Sequence, residues 1–495
     1  MMKTAYKKYT FILLAVATLM SPSCKSFLEE EVYTQYDPDK FLLDQSGIDA
    51  LLTGAYSRAR IISYDSRNYT FMMNEFNTDI SFETGGGLER DALPFIQFTW
   101  LPNNSFLNSF WTKMYQAISS ANTVLQVSDN LNSISENDVN RIAAEARFIR
   151  AVSYYFLYNL FGPTPIIELP KGATPEQIEE IGKATPKATQ EDFVKYMVTD
   201  LEFAFQHLPA EENPLGRATK GAALGVLTKL YMHEKNWTKV VETSKLLMDL
   251  NYYSLHANYK QMFTVPGENN KEYIYRAPCL PQNGYHNNYM AHAFPPNYPV
   301  QSNWANFGAQ FRTYTDFYKK FESDDIRKES FVTSYVDNSG ARVELLEDSQ
   351  GRPLNNVRSF KYQPDPNAVG EAMGNDIVYI RYADILLSRA EALNEINGPN
   401  AESVDLLNQV RNRAKTTLKT VADFVSKESF RDFILDERGK EFFTEGLRRE
   451  DLIRHGKFIS SAQSRGYQAK NHHALFPIPQ QQIDANITLI QNQGY

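Results

Sequence analysis

Cysteine is almost absent from this chain of 495 residues, with only Cys24 and Cys279 present. If Cys24 is consumed by the N-terminal processing described below, Cys279 has no partner, and the fold must rest on its apolar core rather than on disulfides. Long apolar runs are missing beyond residue 20, which excludes a later membrane-spanning helix. An excess of positive charge is missing too. Fifty-one Lys and Arg face 59 Asp and Glu, a net charge of −8, and a nucleic-acid binder needs the opposite balance on at least one face. No G-x-S-x-G, H-E-x-x-H or P-loop occurs. The one glycine-rich stretch, "ETGGG" (83–87), reads as a turn without the following helix that phosphate binding requires.

Several features are present in quantity. Lys3, Lys7 and Lys8 precede the apolar run Phe11 to Met20, and Ser21, Pro22 and Ser23 lead to Cys24. A charged start, a short apolar stretch and small residues before a cleavage point describe a secretory signal peptide at 1–23. A signal that ends at a cysteine is the pattern of a bacterial lipoprotein, with Cys24 the acylated residue and 24–41 a tether. Pro22 and Ser21 depart from the usual lipobox, so plain secretion is the alternative. Acyl chains would anchor the chain firmly, at about 0.8 kcal/mol per buried CH₂.

The periodicity is mainly helical. Residues 47–60 place Ile48, Leu51, Leu52 and Tyr56 on one face, and 108–126 do the same with Trp111, Tyr115, Ile118, Ala121 and Leu125. Further helices are expected over 136–162 and 191–209, separated by a connection broken by Pro163, Pro165, Pro170 and Pro175. Residues 219–249 read as a helix pair with a break at Lys235-Asn236, in which Gly221, Ala222 and Gly225 allow a neighbouring helix to approach. Residues 379–414 repeat that plan around Asn397-Gly398-Pro399. Helix, short turn, helix is the logic of tetratricopeptide-like repeats, whose pairs must stack to bury their apolar faces. The expected fold is therefore mainly α, one domain over 42–495. Its scaffold covers about 42–60, 108–250 and 376–456, and its loop-rich parts are 61–107 and 251–375. Alternation in "FIQFTW" (95–100) predicts a short strand. Loops of this size inside a compact protein are usually functional.

The aromatic content is high, with 29 Tyr, 31 Phe and 4 Trp; most of these belong to the core, but the tyrosines exceed what burial demands. It is interleaved with amides in "NGYHNNYMAHAFPPNYPVQSNWANFGAQF" (283–311). Aromatic faces pack on the C–H faces of sugar rings, and amides match hydroxyls as donor and acceptor. The same set suits an extended peptide, and the rings could equally pin the loop to the scaffold. On this reasoning the candidate ligand residues are Tyr285, Asn288, Tyr289, Tyr298, Trp304 and Phe307, joined by Trp100 and Asn103 from "TWLPNNS". Glu437, Glu441 and Glu445 share a helix face with Arg438 and Arg448 near its ends, which reads as ion pairing rather than as a glycosidase carboxylate pair. His472-His473 lack the spacing and partners of a metal site. No metal or other cofactor is expected, and catalysis by a helical glycosidase is a remote alternative, as is a pure interaction scaffold.

Seven blocks in order carry a resemblance. They are Cys24 with "FLEEE", "FWTKMYQAISSAN" (110–122), "AEARFIRAVSYYFLYNLFGPTPI" (144–166), "ATKGAALGVLTKLYM" (218–232), "YIRYADILLSRAEALNEIN" (379–397), "LDERGKEFFTEGLRREDLIRHG" (435–456) and "FPIPQQQIDANITLIQNQGY" (476–495). Over nearly its whole length the chain resembles the SusD/RagB outer-membrane lipoproteins of Bacteroidota. The resemblance implies four tetratricopeptide-like helix pairs carrying an irregular ligand-binding half, and a non-enzymatic role capturing oligosaccharides for a SusC-like TonB-dependent transporter. It also implies a lipid anchor in the outer membrane facing the cell surface, with Glu29, Glu30 and Glu31 as an export signal. Peptide cargo is the alternative within the family. Binding residues vary with ligand across it, so the resemblance assigns none.

Overall fold

The computed structural model describes residues 45–60, 69–128, 134–170, 172–212, 215–282, 284–308 and 310–495. The signal segment, Cys24, the tether and Glu29 to Glu31 lie outside the described residues. Helices dominate. In the first half they are α1 (Gln45–Ala59), α2 (Tyr69–Glu75), α3 (Glu89–Gln97), α4 (Ser105–Ser128), α5 (Glu136–Phe161), α6 (Pro175–Ala184), α7 (Gln190–His207), α8 (Lys220–His233) and α9 (Trp237–Asp249). Two short helices, α10 (Tyr289–Ala293) and α11 (Thr315–Tyr318), interrupt the loops. The C-terminal set is α12 (Tyr382–Asn397), α13 (Ala401–Arg413), α14 (Lys427–Phe442), α15 (Arg448–Arg454), α16 (Phe458–Ser464) and α17 (Gln480–Ala485).

Local chemistry sets the ends of these helices. Ser135 caps α5 by accepting from the Asp138 N–H, and Glu136 and Asp138 complement the dipole of its first turn. Thr189, Thr219, Asn236, Asn400 and Ser426 cap α7, α8, α9, α13 and α14 in the same way. The break read at Lys235-Asn236 is a left-handed residue, Lys235 at φ 54°, followed at once by the Asn236 cap. The expected turn after Asn397 is Gly398 at φ 76°.

Packing then joins neighbours in a chain: α1 on α4, α4 on α5, α5 on α7, α7 on α8, α8 on α9, α9 on α12, and α12 on both α13 and α14. From Ala151 to Phe161, α5 is buried all round, including Tyr154, Tyr155 and Phe161. A helix that is apolar on every side belongs at the centre of such an array. Each large apolar side chain buried there contributes about 1.5–3 kcal/mol.

The segment between α9 and α12, joined by one strand from between α2 and α3, forms small two-stranded antiparallel sheets. β1 (Ser81–Glu83) pairs with β3 (Phe311–Thr313), β2 (Tyr273–Ala277) with β8 (Ile377–Arg381), β4 (Phe331–Val332) with β7 (Arg358–Ser359), and β5 (Ser334–Val336) with β6 (Arg342–Glu344). A buried ion network ties this half to α14. Arg327 reaches Asp325 at 2.7 Å, Glu437 at 2.8 Å and Glu441 at 3.0 Å, while Arg411 reaches Glu437 at 2.6 Å. Arg381 on β8 bonds Glu272 at 2.7 Å and Glu445 at 2.9 Å.

Four local readings change. "FIQ" of 95–100 lies in α3, not in a strand; Ala92, Phe95 and Ile96 form its buried face, and Phe98 ends it at φ 59° with its N–H on the Pro94 carbonyl. A helix does follow "ETGGG", but Glu89 and Asp91 occupy its first turn, where they repel phosphate. Gly221 and Gly225 admit no helix. A Cβ on Gly221 would strike the Tyr253 ring, and one on Gly225 would press on Ile380 of β8, so the partners are a ring and a sheet. Tyr379 to Arg381 are strand, and the helix begins at Tyr382.

Candidate ligand-binding face

The loop over 294–308 is built by its own amides. Asn306 donates from Nδ2 to the Pro295 carbonyl at 2.8 Å and accepts the Gly308 N–H at 2.8 Å. Asn303 donates to the Ala368 carbonyl at 2.6 Å, and Gly370 pairs with the main chain on both sides of Trp304. Asn288 is wholly buried and donates to Glu371 at 3.3 Å. The amides expected to meet hydroxyls are therefore largely spent on holding the loop's shape. Asn103 is exposed, at the turn before α4.

That frame brings three rings into line. Phe294 lies between Tyr298, at 5.8 Å and 18°, and Trp304, at 5.8 Å and 9°. Phe294 is buried, while Tyr298 and Trp304 are half-buried. Phe360 closes the back of the group edge-on against both Phe294 and Tyr298. The indole N–H of Trp304 is enclosed and meets no acceptor among the described residues, so the ring offers a face rather than a donor. Phe307, 42% exposed, lies 4.9 Å from the ring of buried His292. Burial lowers the His292 pKa, and its Nδ1 is bonded to the Gln310 side chain. Nearby, burial and the repulsion of Glu89 push the Glu83 carboxyl up to about 8.

Tyr335 completes the group. It stands on β5 with its ring 5.4 Å from Tyr298, and its hydroxyl donates to the Pro296 carbonyl at 2.6 Å. Sequence reasoning missed it because it comes from a separate hairpin; a tyrosine in a short alternating strand is the only local signal.

The remaining candidates lie elsewhere. Trp100 is 2% exposed, packed among Phe95, Phe98, His473 and Phe476, with its N–H on the Tyr495 hydroxyl at 2.7 Å. Tyr289 is a core residue among Phe71, Phe311 and Tyr362. Neither ring has a face to offer a ligand. With Asn288, they leave the candidate set for the same reason: each side chain is enclosed by the protein itself. Tyr285 is 51% exposed but faces a different groove of about 450 Å³, beside Arg60, Tyr56 and Leu280.

The glutamates of α14 are structural. Glu437 and Glu441 are fully buried, each with two or more arginines, and burial is overcome there by Arg327 and its neighbours, which hold both carboxyls below the usual range. His473 packs on Trp100, and burial lowers it to about 4.

Comparison with known proteins places this arrangement. The profile of the SusD family matches residues 248–495, and a second, "Starch-binding associating with outer membrane", matches 26–232. A SusD-like protein of Formosa agariphila is 27% identical, over 96% of this chain and 97% of its own. The starch-binding protein SusD of Bacteroides thetaiotaomicron is 23% identical, over 86% of this chain and 85% of its own. Among solved structures, a laminarin-binding SusD-like protein superposes with a TM-score of 0.77 at 23% identity, covering 91% of this chain and all of that one (100%). With the helical array, the irregular half and a family profile spanning the entire C-terminal part in agreement, the chain belongs to the SusD family.

Proposed function

We propose that this protein is a non-catalytic lipoprotein of the outer membrane that captures glycan oligomers at the cell surface and hands them to a SusC-like TonB-dependent transporter. The observation that carries the binding role is the pair of half-buried rings Tyr298 and Trp304, each stacked on buried Phe294, together with Tyr335 and exposed Phe307. Rings already held by packing on Phe294 present their remaining apolar surface at little entropic cost, which suits the C–H faces of sugars. Relatives named for starch and laminarin binding support the same cargo class.

Cys24 after the signal segment supports the anchor, and Glu29 to Glu31 support surface export. Cys24→Ala should abolish labelling by radioactive palmitate and release the protein from the membrane fraction. Continued labelling of that variant would refute Cys24 as the acylated residue. Affinity purification of the wild-type lipoprotein from its own membranes should bring down a TonB-dependent barrel in stoichiometric amount; its absence would count against the transporter role.

A further inference from the structure

A second recess, of about 820 Å³, opens between the scaffold and the irregular half. One wall comes from α14 to α16 through Asp436, Lys457 and Ser460, the other from Tyr314, Asp316 and Lys320 around α11. None of the platform rings lines it. The space is in the range of ligand pockets and holds far more than a few bridging waters.

Its chemistry is unusually even. At the floor Arg448 grips Asp79 with two bonds of 2.7 and 2.8 Å, and Lys320 bridges Asp79 at 3.4 Å and Asp436 at 2.9 Å. Lys457 faces Asp432 at 3.5 Å on the rim. The side chains of Asp432, Asp436 and Lys457 are at least half exposed, so their remaining hydrogen-bond capacity points to solvent. Acids and bases balance along the lining, so a ligand with strong net charge meets repulsion beside every attraction. A neutral ligand rich in hydroxyls meets no such conflict, since each hydroxyl both donates to carboxylates and accepts from ammonium groups. Ser460 and Ser464, one turn apart on α16, use their hydroxyl hydrogens on backbone carbonyls and leave oxygen lone pairs available.

The recess is also close to the platform along the chain. Phe311 of β3 packs on His292 beneath Phe307, and Tyr314, just past the end of β3, lines the recess. Three strand residues span about 10 Å. We infer that the recess is a second carbohydrate subsite, which takes a further neutral segment of a glycan chain held at the rings. The inference rests on reading the platform as a glycan site.

The test uses the mature lipoprotein in detergent and affinity electrophoresis in gels cast with laminarin, starch, xylan or mannan. Ser460→Trp fills the recess, and Lys457→Ala with Asp436→Asn trims it without bulk. Thermal unfolding confirms that each variant folds. Loss of one or two hydrogen bonds predicts about tenfold weaker retention of the variants on the polysaccharide that retards wild type. Binding of a trisaccharide of the same polymer should stay unchanged. Wild-type retention by both variants overturns the second subsite and leaves the platform standing. If Trp304→Ala alone abolishes retention while both recess variants match wild type, the result is the same. If none of the four polysaccharides retards wild type, the glycan reading of the platform fails, and the subsite fails with it.

Discussion

Replacing Glu441 with Gln removes one carboxylate from among three guanidinium groups and leaves side-chain volume almost unchanged. Glu441 is fully buried; it accepts from Arg327 at 3.0 Å and is paired with Arg381 and Arg413. Burial raises its pKa, but those three arginines overcome the burial cost and hold the carboxyl well below its ordinary range. Removing one partner of a buried pair costs about 3–5 kcal/mol, because the other charge is left desolvated. Here each arginine keeps other partners. Arg327 retains Asp325 and Glu437, and Arg381 retains Glu272 and Glu445. The lower end of the range, about 3 kcal/mol, is therefore expected. The sign with pH follows from the depressed folded value: the stabilisation is complete above the unfolded carboxyl value of about 4.3 and is lost as pH falls below it. Urea unfolding at pH 7 and at pH 3.5 should thus show a large gap between wild type and Glu441→Gln at pH 7 and a smaller one in acid. Glycan binding at pH 7 should be unaffected. A gap below about 1 kcal/mol at pH 7, the size of an exposed pair, would refute the reading of α14 as the buried tie between the two halves.

Glu75 behaves in the opposite sense. Burial pushes its carboxyl up to about 8, so between about pH 4.3 and 8 folding must take up a proton and stability falls as pH rises. Glu75→Gln, which mimics the neutral acid, should gain in melting temperature over wild type between pH 5 and pH 8; a constant difference would contradict this. Gly225→Val should destabilise by about 1–3 kcal/mol, since a Cβ there already lies 3.2 Å from Ile380 and the sheet must shift; an unchanged melting temperature would show that β8 yields freely. The Cys279 thiol, buried and pushed up to about 12, should resist a disulfide reagent at pH 8 until urea unfolds the chain. Rapid modification of the native protein would contradict its enclosure.

Much of the scaffold was legible because helical periodicity and caps are local. The pair at 219–249, its break at Lys235-Asn236 and the turn after Asn397 all follow from residues within one turn of the feature they set. The strands were not legible: β1 and β3 lie more than 200 residues apart, and each has three residues, too few for alternation to register. The site was legible in part for the same reason. "NGYHNNYMAHAFPPNYPVQSNWANF" announces a ring-rich loop, but burial divides it. Tyr289 faces Phe71 and Phe311, exposed Tyr285 turns to Arg60 and another groove, and Tyr298, Trp304 and Phe307 stay together at the loop's surface. Composition cannot make that division, because it depends on which neighbours the rest of the chain supplies. Trp100 shows the same limit: its partners Phe476 and Tyr495 come from the C-terminal end. Tyr335 was hidden because its neighbour Tyr298 belongs to another segment.

The most direct test of the central claim is isothermal titration of the detergent-solubilised full chain with laminarin and starch oligosaccharides, with each mixture assayed afterwards for new reducing ends. Wild type should bind one of them saturably and release no reducing ends. Trp304→Ala and Tyr298→Ala should each weaken binding by about five- to tenfold, the loss expected for one aromatic face, while Tyr285→Ala should bind as wild type does. Wild-type affinity in the Trp304→Ala, Tyr298→Ala double variant, or any cleavage of the glycan, would contradict the account.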